Sequence, residues 1–387
     1  RRVHGDKGSV FYSSSFLFSF LSTMAAMMKS WMHKRTRCDD ALLWESQLKR
    51  HVSGEYSIAI VQANATLEDQ SHVLASPSST LVGVFDGHGG PDAARFVNAH
   101  LFHTMTKLAN ERGGMSGEVI KKAFATVEEQ FFRVVKQRIV SKPEIVSVGT
   151  CCLVGGIFGE NLFVANLGDS RAVLGRKCVD RDRIVAERLS RDHNVSVEDV
   201  RKEVEALHPD DKHIVMFIRG VWRIKGIIQV SRSIGDAYLK KPETGYEASI
   251  YKTAYHVPIK RPVISSVPSI LSRKIKPQDM FIIFASDGLW EHLTDEEAVE
   301  IVATHGRSGI SRRLVNAAQK TAASKMEIKT SDLKKVEKGT RRNFHDDITV
   351  VVVYLDHHQS HRSLADSVSP FDIFPLIEGH VDQDHRS

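Results

Sequence analysis

The sequence has 387 residues, and its hydrophobic share of 42% and charged share of 26% are typical of a globular protein that can bury a large core. These proportions exclude a wholly disordered chain. The net charge of +6 is spread over many segments, and the densest basic stretch, residues 334–342, is interleaved with acidic side chains, so we interpret it as a solvated helix face and expect no nucleic-acid partner.

The N-terminal residues are open to two interpretations. Residues 8–28 carry no charge and include an apolar patch, which resembles a signal or anchor segment. Serine and threonine residues interrupt the patch, and methionines from Met24 onward offer later starts for translation. We therefore expect no membrane anchor, and a protein of the cytoplasm and nucleus or of the plasma-membrane periphery.

Strand and helix patterns fill residues 54–356, which we predict to be one folded domain between an N-terminal extension (1–53) and a loose tail (357–387). Apolar runs or alternation typical of strands occur at 55–63, 80–86, 147–158, 161–167, 172–174, 184–189, 227–230, 263–266, 280–285 and 347–355. Apolar spacing typical of helices occurs at 93–110, 117–137, 296–305 and 311–324. Runs of strands broken by pairs of helices predict an α+β layered domain.

The cysteines Cys38, Cys151, Cys152 and Cys178 show no CxxC spacing, so the sequence supports neither a zinc site nor a redox motif. Side chains of adjacent strand residues point to opposite faces, so Cys151 and Cys152 are not expected to pair. We interpret both as core thiols in a reducing compartment.

Three core strands carry an aspartate at one end: Asp86, Asp287 and Asp346. A carboxylate at the edge of a buried strand is costly to desolvate without a partner. Each one alone would fit an ordinary turn. Three together, with Glu68, Asp69 and Asp169 also at strand ends and no basic residue in the same motifs, predict bound cations. Oxygen ligands select Mg²⁺ or Mn²⁺ over zinc, although a calcium site or a purely structural site remains an alternative.

Glycines expose the backbone around His88, which lies two residues after Asp86. Gly87 could add its backbone carbonyl to the ligands, since a glycine allows close approach. An imidazole at this distance from the metal ligands is expected to act as a general acid.

An ordered set of motifs closely resembles the type 2C, metal-dependent (PPM) serine/threonine protein phosphatases, especially their plant members. The motifs are Leu67–Gln70, Val84–Gly90, Gly149–Thr150, Asn166–Ala172, Leu189–His193, Val230–Asp236, Ala285–Trp290 and Asp346–Val350. The resemblance implies a central β-sandwich of two antiparallel sheets flanked by α-helices, with the metals in a cleft at one end.

The resemblance also implies roles for individual residues. Asp86 would bridge two Mg²⁺ or Mn²⁺ ions, with the Gly87 carbonyl on one ion and Asp287 and Asp346 on the other. His88 would protonate the leaving seryl or threonyl oxygen after a metal-activated bridging water attacks phosphorus. Residues expected to act behind these ligands, through water, or at a weaker third ion are Glu68, Asp69, Asp169 and Asp236.

One departure from the family concerns the substrate phosphate. Asn64 stands where many members carry an arginine, and an amide cannot supply a bidentate cationic fork. Phosphate binding would then depend on the metals, on Asn64 itself, or on another arginine such as Arg95 or Arg232. Asp347 also stands where the family often has asparagine.

These departures resemble one plant branch, associated with the plasma-membrane proton pump and with small auxin-induced regulatory proteins. The resemblance therefore implies phosphoprotein substrates, with the pump and these regulators as possible partners, and we expect a monomer.

Two other functions remain open. A catalytically silent phosphoprotein-binding module would be favoured by loss of Asp86, Asp287 or Asp346, and none is lost. A metal-dependent hydrolase of small phosphoesters or nucleic acid is the other alternative, and the diffuse basic charge argues against a nucleic-acid substrate.

Overall fold

The computed structural model describes residues 40–178, 183–241, 261–356 and 372–374. The chain divides into a unit of residues 1–41 and a unit of residues 42–387, and every helix and strand described below belongs to the second. The apolar patch at 8–28 and almost all of the predicted tail lie outside the described residues. Within the described part of the chain, no helix combines the length and the apolar character that crossing a membrane requires.

One layer of the fold is an antiparallel sheet of seven strands. Its spatial order is β1 (Leu43–Glu45), β3 (Gly54–Val61), β17 (Ile348–Tyr354), β16 (Asp279–Ala285), β10 (Arg171–Lys177) and β11 (Ile184–Arg188), with β2 (Lys49–His51) on the first half of β3. The sheet therefore begins ahead of the predicted domain start at Gly54.

The second layer is an antiparallel sheet of six strands. Its order is β15 (Ser269–Lys274), β9 (Asn161–Leu167), β8 (Cys152–Phe158), β5 (Ser79–Phe85), β4 (Gln70–Ala75) and β18 (Asp372–Phe374). Side chains of both sheets form one continuous core, which includes Ile58, Val82, Leu153, Ile282 and Val351. The predicted α+β fold with two antiparallel sheets and flanking helices is confirmed.

The alternation along β5 shows how the sequence builds these layers. Val82 and Val84 face the other sheet, whereas Leu81 and Phe85 face the helices on the outside. Both sets are buried, because a strand in the middle of a layered fold is covered on its two faces. The continuous apolar run is thus explained.

The described residues form several helices, of which two pairs cover the outer faces of the two sheets. In chain order they are α1 (Asp92–Glu111), α2 (Gly117–Arg138), α3 (Glu198–Leu207), α4 (Ala237–Lys240), α5 (Asp287–Trp290), α6 (Asp295–Thr304), α7 (Ile310–Lys325) and α8 (Thr330–Leu333). The pair α1 and α2 packs on the six-stranded sheet, and α6 and α7 pack on the seven-stranded sheet. Their starts follow local chemistry: Ser116 accepts a hydrogen bond from the Val119 amide, and Thr294 and Glu297 form a capping box.

Two smaller units lie beside the sandwich. The hairpin of β12 (Val215–Ile218) and β13 (Val221–Ile224) shares a separate apolar core with α3. A three-stranded sheet joins β6 (Gly87–His88), β7 (Gly149–Thr150) and β14 (Ile234–Gly235). This second unit brings His88 next to the segment that follows β14.

Four predictions about local structure are wrong. The apolar segments at 227–230 and 263–266 are not strands: each makes only isolated bridges, and their side chains fill the core beside α3. The predicted strand 147–158 is interrupted at Cys151, because Thr150 pairs with Gly87 while the strand from Cys152 onward pairs with β5 and β9.

The fourth error concerns the basic stretch 334–342, which is not a solvated helix face. The helix α8 ends at Leu333, and a 3₁₀ turn follows at Thr340–Asn343. Arg341 in this turn is only 1% exposed, and its guanidinium donates to the carbonyl oxygens of Lys334 (2.6 Å) and Val336 (3.1 Å). The Arg341 guanidinium thus caps backbone carbonyls in the interior and is not part of a solvated surface.

Candidate metal centre

Strand register brings the predicted carboxylates to one end of the sandwich. Asp69 comes just before β4 and Asp86 just after β5, and the neighbouring Gln70 and Phe85 are paired. In the other sheet, Asp287 follows β16 and Asp346 precedes β17, at the end where these two antiparallel strands meet. Asp169 follows β9 at the same end of the six-stranded sheet, beside the start of β8.

The carboxylates of the two sheets affect one another's ionisation. Burial, followed by the charges of Asp287 and Asp69, raises the pKa of Asp86 well above its ordinary value. Burial, followed by Asp169 and Asp346, does the same to the pKa of Asp287. Such a cluster is unfavourable when ionised unless cations compensate it.

The donor set fits a hard divalent cation. Asp287 Oδ1 is buried and has no hydrogen-bond partner among the described residues. A buried polar atom without a partner is rare and needs an explanation. A bound cation would supply the missing interaction, and the surrounding oxygens are those that Mg²⁺ and Mn²⁺ prefer.

Two further carboxylates are held by side chains at the strand ends. Asp69 Oδ2 accepts hydrogen bonds from Ser286 Oγ (2.8 Å) and Thr349 Oγ1 (2.7 Å), which ties the two sheets together at this end. Asp346 is shared: Asn64 Nδ2 donates to its Oδ1 (2.8 Å), and Arg342 Nη2 lies 2.7 Å from its Oδ2.

Gly87 and Glu68 lie against each other. A Cβ atom at position 87 would come within 2.5 Å of the Glu68 carbonyl oxygen, so only glycine fits there. Burial, together with the charges of Asp347 and Asp346, raises the pKa of Glu68 to about 7. Glu68 is therefore part of the same electrostatic cluster.

Asp347 differs from its neighbours because backbone amides satisfy its whole carboxylate. Its Oδ1 accepts from the amides of Ala63 (2.7 Å) and Asn64 (2.9 Å), and its Oδ2 accepts from the Glu68 amide (2.9 Å). This carboxylate therefore fixes the turn between β3 and β4 to the start of β17.

Cys151 borders the site, which the sequence did not reveal. Its Sγ donates to Asp169 Oδ1 (3.2 Å), and the two residues together with Asp86 offer three ligand atoms within 4.8 Å of one another. Burial, then the charges of Asp169 and Asp86, raises the pKa of the Cys151 thiol well above its ordinary value. Cys151, Cys152 and Cys178 are free, as predicted, and Cys38 lies outside the described residues.

Glu291 is a second residue near the site that the sequence analysis missed. Burial first, and then Asp346, raises its pKa, whereas Arg342 opposes the shift. Glu291 lies four residues after Asp287, at the end of the short α5, and its charge contributes to the raised pKa of Asp287. That spacing on a helix was the available signal.

His88 is paired with Asp236. Its Nε2 lies 2.8 Å from Asp236 Oδ2, which also accepts a hydrogen bond from Ser233 Oγ (2.6 Å). Burial by itself would lower the pKa of His88, but the Asp236 carboxylate, together with the charges of Asp169 and Glu68, outweighs burial and the pKa is raised. A Cβ at Gly149 would lie 2.1 Å from Asp236 Oδ2 and 2.4 Å from His88 Nε2, so the pair needs glycine at that position.

A network of buried hydrogen bonds holds the turn that carries Asp236. Asp236 has a left-handed backbone (φ 52°), which is unfavourable for a residue with a side chain. Buried Glu128 accepts from the Gly235 amide (2.8 Å) and from Lys240 Nζ (2.6 Å), and Lys240 also donates to the Ser233 carbonyl oxygen (2.7 Å). This network offsets the strain and holds Asp236 beside His88.

The three residues suggested for phosphate binding lie in different surroundings. Asn64 is hydrogen-bonded to Asp346 at the site. Arg232 donates to the Val267 carbonyl oxygen (2.9 Å) and pairs with Glu203 Oε1 (2.7 Å), so its guanidinium already has partners. Arg95 lies on α1, partly exposed, and its guanidinium makes no hydrogen bond or ion pair within the described part of the chain.

Comparisons with known proteins match the chain to one family. The protein phosphatase 2C family model matches residues 56–332. The chain is 58% identical to "Probable protein phosphatase 2C 63" of Arabidopsis thaliana over 353 residues, which span 89% of this chain and 93% of the relative. It is 55% identical to "Probable protein phosphatase 2C 78" of Oryza sativa subsp. japonica over 351 residues, which span 89% of this chain and 90% of the relative.

Solved structures show the same fold at much lower identity. The serine-threonine phosphatase 2C from Toxoplasma gondii superimposes with a TM-score of 0.57 at 16% identity, covering 81% of this chain and 99% of its own. A sex-determining protein of C. elegans gives a TM-score of 0.51 at 18% identity, and the match covers 81% of this chain and 64% of that protein.

Proposed function

This chain belongs to the protein phosphatase 2C family of protein serine/threonine phosphatases, and we propose that it hydrolyses phosphoserine and phosphothreonine with two Mg²⁺ or Mn²⁺ ions held by Asp86, Asp287 and Asp346. The family is metal-dependent, and a phosphatase of this class acts on phosphoproteins. The observation that carries the proposal is the partly buried carboxylate cluster, in which the buried Asp287 Oδ1 has no partner among the described residues.

Three aspartates would hold the ions, with the Gly87 carbonyl as a further ligand. When bound, divalent cations acidify a water and offset the negative charge of the phosphoryl oxygens. Asp69 would position the ligands without binding an ion directly. Its carboxylate accepts hydrogen bonds from Ser286, next to Asp287, and from Thr349, three residues after Asp346. Glu68 and Asp169 would act through water or at a weaker third ion.

His88 would be the general acid that protonates the leaving seryl or threonyl oxygen. Its Nε2 is engaged with Asp236, so Nδ1 is the nitrogen left to carry the proton to the substrate. The side chain is 30% exposed, which leaves room for a substrate to approach. In this proposal Asp236 serves the histidine rather than an ion.

The test is hydrolysis of a phosphothreonine peptide by the full chain with Mn²⁺ or Mg²⁺. We expect activity that excess chelator abolishes and that Asp86→Asn reduces by several orders of magnitude. Full activity in excess chelator would contradict the metal-dependent mechanism. Tight phosphopeptide binding without turnover in either metal would favour a catalytically silent binding module instead.

The physiological partners are proposed only from the resemblance. The plasma-membrane proton pump as substrate, the small auxin-induced proteins as regulators, the monomeric state and the cytoplasmic, nuclear or peripheral membrane location all remain predictions. A phosphothreonine peptide from the C-terminal region of the pump, compared with a scrambled phosphopeptide in the same assay, would test the first of them.

A further inference from the structure

We propose that Arg342 binds the substrate phosphate and takes the place of the arginine that many family members carry at the position of Asn64. The proposal rests on the phosphatase activity proposed above. It assigns to a half-exposed arginine, outside every motif that carries the family resemblance, the cationic contact that Asn64 cannot make.

The first argument is position. Asn64 and Arg342 contact the two oxygens of the same carboxylate, Asp346 Oδ1 and Oδ2. The loop that carries Arg342 is also joined to the segment around Asn64, because the Gly339 amide donates to the Ala63 carbonyl oxygen (2.6 Å). A guanidinium from this loop therefore reaches the corner that a longer side chain at position 64 would occupy.

The second argument is how the loop holds its two adjacent arginines. Arg341 is buried and anchors the 3₁₀ turn through backbone carbonyls. Arg342 is directed outward, with 51% of its side chain exposed, and its ion pair with Asp346 is the only polar side-chain contact it makes within the described residues. A guanidinium has five N–H donors in a planar fork, so most remain available to a ligand.

The third argument is charge. The carboxylates at this end of the sandwich give an incoming phosphate a strongly negative surrounding, and a phosphate in such a site needs positive partners. Among the arginines suggested earlier, Arg232 is already paired with Glu203. Arg342 places a half-exposed positive charge at the edge of the site, 2.7 Å from Asp346 Oδ2. Arginine is also the side chain best suited to bidentate phosphate recognition.

The experiment measures steady-state kinetics of the full chain with Mn²⁺ on a phosphothreonine peptide and on p-nitrophenyl phosphate. For Arg342→Ala we expect KM to rise about tenfold on both substrates, with a smaller change in kcat, because a partly exposed charge-assisted contact is lost. Arg342→Lys should recover only part of the loss, since lysine keeps the charge but not the fork. The matched control is Arg313→Ala, which removes an exposed arginine on α7 and should leave both constants unchanged.

Comparing KM on the two substrates distinguishes a contact with the phosphate from a contact with the rest of the peptide. An increase in KM on the peptide alone would mean that Arg342 contacts an acidic side chain of the peptide, and it would overturn the assignment to phosphate. Unchanged KM on both substrates would overturn it as well.

Calorimetry provides a readout that does not depend on turnover. Inorganic phosphate should bind about tenfold more weakly to Arg342→Ala in the presence of Mn²⁺. Mn²⁺ itself should bind as well as before or better, because Arg342 competes for the Asp346 carboxylate. Weaker Mn²⁺ binding with unchanged phosphate binding would show that Arg342 only positions Asp346, and would overturn the proposal.

A rescue variant tests the shared position. Asn64→Arg introduced into Arg342→Ala should restore most of the phosphate affinity, whereas Asn64→Lys should restore less. If Asn64→Arg restores no phosphate affinity, the proposal that Arg342 takes the place of an arginine at position 64 is contradicted. If the wild-type chain binds phosphate but hydrolyses neither substrate, the proposed function fails while the phosphate measurements still decide the role of Arg342.

Discussion

At the scale of single residues, the pairing of His88 with Asp236 separates Asp236 from the acidic residues that are expected to act around the ions. The sequence groups Asp236 with the carboxylates that act around the ions, whereas the structure bonds it to His88 and Ser233. A carboxylate bonded to one imidazole nitrogen fixes the ring's orientation and leaves the other nitrogen for the substrate. Asp236 is thus expected to influence the acid step through His88.

The first prediction follows from that pair. His88→Ala should slow hydrolysis of a phosphothreonine peptide about 100-fold, because the poor leaving group needs a proton, and should slow p-nitrophenyl phosphate much less. Asp236→Asn should show the same substrate dependence with a smaller loss, measured as kcat on both substrates.

The double variant separates positioning from a general structural defect. Asp236→Asn should add almost nothing to His88→Ala if it acts through the histidine. Additive losses, or equal losses on the two substrates, would remove Asp236 from this role.

Some residues near the site can be predicted from the local sequence, and others cannot. Asp86, Asp287 and Asp346 were predicted because each lies at the end of an apolar strand, where local sequence is informative. Cys151 and Arg342 were missed because their roles depend on contacts with other segments. The sequence also cannot distinguish Arg342 from Arg341, since two adjacent arginines give no sign of which one is buried.

At the scale of secondary-structure elements, the long helices were predicted to within a few residues because two or more turns repeat the apolar spacing. The weaker elements were missed. The strand β4 contains Gln70, Ser71 and His72, which break the apolar pattern although all three are buried. In α3 only Val200 and Val204 are buried, too few for a clear period.

The second prediction concerns the connection between elements that Asp347 makes. Asp347→Asn replaces one carboxylate oxygen by an NH₂ group, which cannot accept a hydrogen bond from a backbone amide. With the Glu68 amide left unsatisfied, we expect a loss of about 1–3 kcal/mol in the free energy of unfolding, measured in urea with metal removed.

The control for this prediction is Asp332→Asn, which breaks an exposed ion pair with Lys335 and should cost less than about 0.5 kcal/mol. Equal effects of the two variants would show that the three amide contacts of Asp347 contribute nothing specific. A larger loss at Asp347 would confirm that it holds the turn before β4.

At the scale of the whole molecule, the partly buried carboxylates are expected to make stability depend on pH and on metal together. Glu68 has a pKa of about 7 in the folded chain, raised from 4.5 mainly by burial. A raised carboxyl pKa means that the folded state binds the proton more tightly, so its contribution to stability is present at low pH and is lost as pH rises through about 7. Metal ions would offset the repulsion that then appears.

The third prediction is therefore that the increase in Tm on adding Mn²⁺ is larger at pH 7.5 than at pH 5.5, measured by differential scanning calorimetry. The comparison uses the same chain with and without metal, so the buried histidines affect both samples alike. In Glu68→Gln the metal-free Tm should depend less on pH over this range. A metal effect that is constant or grows toward low pH would contradict this explanation.

The division of the proposed metal ligands between the two sheets also has a consequence for folding kinetics. Asp86 belongs to the six-stranded sheet, and Asp287 and Asp346 to the seven-stranded one, so the complete set of ligands exists only after the layers have docked. If the proposed site is correct, we expect ion binding to be among the last events of folding. Its stabilisation should appear as slower unfolding rather than faster refolding, because an interaction absent from the transition state affects mainly the rate of leaving the native state.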